Sequence, residues 1–284
     1  MTAEYDQEAQ QPVDAYRPKL ETTPTGNLSQ FSENTAVHAT AAPSRNHLIA
    51  FLGEFFGTFI FMWCAFVIAQ IANLDATIVS PVTGSNPSRL VMISLGFGFS
   101  VMMAVFMFYR ISGANFNPAV TVTLMLAQAV SPLRGVIMII AQFIGAIAAS
   151  AAAWAMVPGE MKFRNELGGG CSIARGLFIE AFVTTILCLT VLLMAVEKHK
   201  ATFMAPFAIG IALFIGNMAS IHFSGAGINP ARSFGPDAVN GTFTHYHWIY
   251  WLGPFIGSFV AFGIWKLFKF LDYETCNPGQ DADH

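Results

Sequence analysis

Six apolar stretches, at about 48–72, 89–109, 133–157, 176–196, 203–223 and 248–270, each reach the roughly 20 residues that carry a helix across about 30 Å of hydrocarbon. At membrane depth every backbone N–H and C=O must be bonded internally, so such stretches are confined to helices. Composition points the same way: 54% of the 284 residues are hydrophobic and 11% are charged, against about a quarter charged in an average soluble domain. The formal net charge of −3 gives no footing for a nucleic-acid partner. Cys64, Cys171, Cys188 and Cys276 show neither a CxxC pair nor a metal-ligand spacing, so no metal and no cofactor is expected. No activated nucleophile or phosphate-binding loop appears, and the chain does not read as an enzyme.

Two short lines lie outside the six spans and nearly repeat each other: SGANFNPAVT at 112–121 and SGAGINPARS at 224–233. The first falls between spans two and three, the second between spans five and six. Each is followed by an apolar stretch too short to cross. Irregular backbone at membrane depth is tolerated only inside protein or beside a water-filled cavity, and two half-helices that dip in and return fit that rule. The order span, span, dip, span therefore occurs twice, over about 47–158 and 176–271. Each half holds an odd number of spans, so the second half starts from the opposite face and the repeats are inverted. GEFFGTFIFM (53–62) and IEAFVTTILC (179–188) repeat as well, placing Glu54 and Glu180 at matching sites. They read as acceptors bracing the two dips; a proton relay is the other role open to buried carboxylates. The fold class that follows is an all-α membrane protein with six transmembrane helices and two re-entrant half-helices.

Asn117-Pro118-Ala119 and Asn229-Pro230-Ala231 each suit the start of a helix. Asn is among the preferred N-caps and Pro is favoured at the first helical position. A capping Asn spends its side-chain oxygen on backbone N–H groups and keeps its NH₂ as a donor. Two such termini meeting near the midplane bring about half a positive charge each. A water there accepts from both amides, and its hydrogens point away along the path in opposite senses. A proton wire, which needs one sense throughout, is broken at that point, and the field repels cations. Arg232, directly after the second line, is expensive at membrane depth and marks a pathway. A coupled transporter would need titratable or ion-binding groups along the path, and only Arg232 is offered there.

At these residues the chain resembles the major intrinsic protein family, the aquaporins, over roughly residues 47–270. LCLTVLLMAVEKHKATFMAPFAIGIALFIG (187–216) and HYHWIYWLGP (245–254) are similar to fungal water channels in particular. The resemblance implies a homotetramer in the lipid bilayer with one pore per subunit, passing water. It also implies a constriction of four residues, which match Phe97, Asn217, Ala226 and Arg232. Strict water channels usually carry His where Asn217 stands. Asn is smaller and never cationic, so the ring should be wider and less positive, with hydrogen peroxide or glycerol as possible further permeants. Arg232-Ser233, Phe97 and Tyr250-Trp251 match the water branch of the family rather than its glycerol branch. Asp237 departs from the small residue usual in the water branch. Asn115, two residues before the first Asn-Pro-Ala, reads as bracing its loop.

Residues 1–46 and 272–284 are polar and read as tails. Arg45, Arg110, Arg134, Lys198, Lys200, Lys266 and Lys269 on one set of flanks, against Arg89, Lys162, Arg164 and Arg175 on the other, favour both tails in the cytoplasm. The plasma membrane is the expected residence. An aromatic of the N-terminal tail, Tyr16 or Phe31, is a candidate plug for the inner mouth, with plain tethering as the alternative. Ser131, before Pro132, is a candidate phosphorylation site or a simple turn.

Overall fold

The structure is a computed structural model that describes residues 43–74, 86–277 and 279–281. Tyr16 and Phe31 lie outside these residues. Among the described residues eight α-helices follow in order: α1 (Pro43–Ala72), α2 (Pro87–Ser112), α3 (Pro118–Leu126), α4 (Pro132–Met156), α5 (Ile173–Val191), α6 (Ala205–Ser224), α7 (Pro230–Asn240) and α8 (Ile249–Phe270). Six of them are long and apolar enough to cross a membrane. The other two, α3 and α7, are the half-helices. Proline sits in the first turn of α2, α3, α4, α6 and α7, where its missing N–H is no loss. Helix α1 begins four residues before the expected boundary at 47, because its polar first turn adds to the apolar run from which the span was read.

The packing repeats. Helix α1 lies against α2 and α4, and α5 lies against α6 and α8; α3 rests on α8 of the other half, and α7 rests on α4 of the first. Helices α2 and α6 join the halves. Small residues set the closest crossings, as in membrane bundles generally. Gly145 of α4 meets Phe55 O and Thr58 of α1, and Gly257 of α8 meets Ala181 O and Thr184 of α5. Ser258 Oγ donates to Ala119 O at 2.8 Å, fastening α8 to α3.

The C-terminal dozen residues, read from their polarity as a loose tail, are partly tied down. Glu197, in the α5–α6 loop, accepts from Trp265 Nε1 (2.6 Å), Tyr273 Oη (2.9 Å) and Lys269 Nζ (3.2 Å). Lys269 also pairs with Glu274, and Lys200 N donates to Gln280 O. A single half-buried carboxylate thus gathers a helix end and the turn beyond it, which local composition does not reveal.

A Cβ on Gly257 would sit 2.6 Å from Ala181 O and 2.9 Å from Thr184 Cβ, whereas one on Gly263 of the same helix meets nothing within 4 Å. Gly257→Ala should therefore lower the melting temperature in detergent, at a cost of about 1–3 kcal/mol. Gly263→Ala should leave it unchanged or slightly raised. Thermal melts followed by size-exclusion chromatography check both.

Candidate functional site

The two lines preceding α3 and α7 adopt the same unusual path. Gly113 (φ +99°) and Gly225 (φ +79°) end the preceding spans in the left-handed region, and four non-glycine residues follow them there: Ala114 (+56°), Phe116 (+53°), Ala226 (+53°) and Ile228 (+56°). Each costs on the order of 1–3 kcal/mol unless its surroundings over-determine it. Buried carboxylates are those surroundings. Glu54 Oε1 accepts from Ser112 Oγ (2.6 Å) and Asn115 N (3.1 Å), and its Oε2 from Phe116 N (2.8 Å) and Gln142 Nε2 (2.8 Å). Glu180 Oε1 accepts from Ser224 Oγ (2.6 Å) and Gly227 N (2.8 Å), and its Oε2 from Ile228 N (2.6 Å).

Asn117 and Asn229 then cap their half-helices from extended backbone. Asn117 Oδ1 accepts from Ala119 N, and Asn229 Oδ1 from Ala231 N and Arg232 N. Their amide nitrogens cross between the halves: Asn117 Nδ2 donates to Ile228 O (3.0 Å) and Asn229 Nδ2 to Phe116 O (2.8 Å). One hydrogen of each amide is thus committed to the opposite repeat, which the sequence reading left out. The second hydrogen of each remains for the cavity both residues line.

That cavity, about 430 Å³, begins among Ser131, Arg134 and Lys198, passes Asn117 and Asn229, and ends at Phe97, Asn217, Ala226 and Arg232. Beyond lies a second cavity of about 410 Å³, with Arg89, Lys162 and His222 in its wall; Arg232 lines both. The Arg232 guanidinium is 5.0 Å from the Phe97 ring and 5.5 Å from the Phe66 ring, and its Nη1 donates to Phe163 O at 3.0 Å. Asn217 Nδ2 donates within its own helix to Leu213 O (2.9 Å). Asn217 Oδ1 and Arg232 Nε are buried with no hydrogen-bond partner among the described residues. The end of the cavity therefore sets an acceptor and a cationic donor against an aromatic wall.

Asn115 is buried and donates to Thr121 Oγ1. Ser131 is exposed, opens α4, and makes no side-chain cap bond. Sequence reasoning passed over Gln142, which links Glu54 to Thr121 Oγ1 (2.9 Å), and Phe66, Phe163, Arg164 and Asn165, which touch Arg232, Asp237 or Gly225 from other elements. Gln142 carried one signal, an amide inside an apolar span; the rest carried none. Among the described residues no group of His, Cys, Asp or Glu is arranged to hold a metal.

Six spans, two half-helices joined at their capping asparagines and a cavity running beside them define a class of polytopic membrane proteins built around a pore. The sequence model described as "Major intrinsic protein" matches residues 40–265, and the chain belongs to that family. It is therefore a membrane channel and not an enzyme. It is 52% identical over 231 residues to Aquaporin-2 of Saccharomyces cerevisiae, covering 81% of this chain and 80% of the relative. It is 49% identical over 244 residues to Aquaporin-7 of Botryotinia fuckeliana, covering 84% of this chain and 53% of that one. Among solved structures, the aquaglyceroporin from Plasmodium falciparum superposes with a TM-score of 0.68 at 22% identity, over 80% of this chain and 99% of that one, a likeness of fold.

Glu180 accepts three hydrogen bonds with both oxygens, and an amide in its place would turn a donor toward backbone N–H groups. Glu180→Gln and Glu54→Gln should each cost about 1–3 kcal/mol for each donor left unsatisfied. The check is a lowered detergent melting temperature for both variants beside a conservative surface control, Glu166→Gln.

Proposed function

We propose that the protein is a passive water channel that excludes protons and ions. The paired amides of Asn117 and Asn229, both beside one cavity and each fastened to the opposite loop, carry this reading. A water between them accepts twice and donates away in both directions, so a chain of waters reverses its sense there. The N-termini of α3 and α7 add positive potential at the same level, and Arg232 adds a full charge at the far end. Glu54 and Glu180 hold the strained loops that aim the amides. Phe97, Asn217, Ala226 and Arg232 set the aperture.

The positive-inside bias favours a cytoplasmic position for the mouth near Ser131, Arg134 and Lys198 and for both termini, with the Arg232 mouth outside. The family likeness supports a homotetramer in the plasma membrane as part of this reading. Lipid or neighbouring subunits would cover the exposed Phe178, Phe182 and Phe259.

A second permeant is favoured by one observation. Asn217 presents an unpartnered acceptor, Oδ1, beside the small Ala226. Hydrogen peroxide, which donates two hydrogen bonds and is little larger than water, suits that pairing better than glycerol does.

Stopped-flow light scattering on proteoliposomes should give water permeability well above that of protein-free vesicles, with no accompanying change of internal pH. Permeability equal to the empty vesicles would end the proposal. Asn217→His should keep water flux within about threefold while cutting peroxide flux by about tenfold, the effect of roughly 1.4 kcal/mol at a narrowed site. Equal peroxide flux in the two proteins would show that position 217 does not set the permeant range.

A further inference from the structure

Asp237 has no part in the reading above, yet its carboxylate is fully buried. A buried acid is tolerated where it is paired and hydrogen-bonded. Here Arg164 Nε donates to Asp237 Oδ1 at 2.7 Å, while His247 Nδ1 lies 2.9 Å from Oδ2 but out of line for a hydrogen bond. Arg164 comes from the α4–α5 loop, and its Nη2 also donates to Thr242 O (3.0 Å), just past the end of α7. One guanidinium thus pins the α4–α5 loop to the half-helix that carries Arg232.

The residues on either side of Arg164 touch the constriction. The carbonyl of Phe163 accepts from Arg232 Nη1 at 3.0 Å. The amide of Asn165 donates to Gly225 O at 2.6 Å, on the residue before Ala226. The Phe163 ring stacks on Phe66 (4.8 Å, 15°), and Phe66 meets Phe97 edge to face at 6.3 Å. Three consecutive loop residues therefore fix, in turn, the Arg232 guanidinium with its aromatic wall, the half-helix that bears it, and the strand of backbone leading to Ala226.

We propose that Asp237, acting through Arg164, is a positioning residue for the outer constriction: it holds Phe163–Asn165 at the height where the Phe163 carbonyl anchors Arg232. This rests on the reading of Arg232 and Phe97 as the aperture. Of the buried acids, Glu54 and Glu180 hold the mid-pore loops, and Asp237 does the corresponding work one level outward. With the acid removed, Arg164 keeps only its hydrogen bond to Thr242 O, the loop loses its ion pair with α7, and the anchoring carbonyl is freer to shift. Arg232 then samples more of the lumen's cross-section, and a solute wider than water gains more than water does.

The test is the ratio of glycerol to water permeability, both measured by stopped-flow on the same batch of proteoliposomes, so that the amount of folded protein cancels. Asp237→Ala and Arg164→Ala should each raise the ratio about threefold or more, and the double variant no further than the larger single effect, as for partners in one network. Arg164→Lys, which keeps the cation opposite Asp237, should hold the wild-type ratio. A role confined to folding would lower both permeabilities together and leave the ratio unchanged, and that result overturns the proposal. Should Asp237→Ala fail to reconstitute, the Arg164→Ala and Arg164→Lys pair decides: equal ratios overturn it. Arg232→Ala separates this inference from the reading beneath it. If Arg232→Ala raises the ratio and the Asp237 and Arg164 variants do not, the positioning role is wrong and the constriction stands. If Arg232→Ala leaves the ratio unchanged, the constriction itself is wrong, and this inference falls with it.

Discussion

Everything at the centre of this channel depends on two hydrogen bonds that cross between the halves, from Asn117 Nδ2 to Ile228 O and from Asn229 Nδ2 to Phe116 O. They are made by the same side chains that cap the two half-helices. The cap orients each amide, and the crossing bond fixes how far apart the amides stand. What remains, one N–H on each side, is presented to the lumen at a set position. The accepting carbonyls belong to Ile228 and Phe116, which both sit in the left-handed region. That conformation is costly, and three or four bonds to a buried glutamate hold it in each half. The strain is thus stored at the place where the proposed water path needs a fixed geometry.

The two halves solve this problem alike but not identically. Glu54 takes a fourth bond from Gln142, which also reaches Thr121. In the second half no side-chain amide among the described residues bonds Glu180; instead Tyr250 Oη donates to Ser224 O at 2.7 Å, steadying the loop from α8. The asymmetry continues outward. Only the second Asn-Pro-Ala is followed by an arginine, and among the described residues only that side has the Arg164–Asp237 tie. An inverted repeat supplies a symmetric midpoint, and the mouths diverge from it.

Much of the architecture was legible in the sequence because hydrocarbon imposes length. The six spans appear as runs near 20 residues, and the half-helices appear as runs too short to cross. The paired Asn-Pro-Ala lines carried a double signal, a helix start and a costly polar group at membrane depth. Glu54 and Glu180 were legible for the same reason. Contacts between distant loops left no trace of this kind. Nothing in the local pattern of Phe163, Arg164 and Asn165 distinguishes them from an ordinary loop, since their meaning lies in Arg232, Asp237 and Gly225 far along the chain. Asp237 stood out as an oddity of type, but its partners could not be read. The order of the C-terminal residues was hidden likewise, because the acceptor that gathers them, Glu197, lies in another loop.

The central claim is that a water at mid-pore accepts from both asparagines at once and so reverses the sense of the chain. X-ray diffraction at a resolution that places individual waters tests it most directly. The account predicts a single file through the lumen with one water within about 3.2 Å of both Asn117 Nδ2 and Asn229 Nδ2. A file interrupted by protein at that level, or waters that bond neither amide, would contradict it.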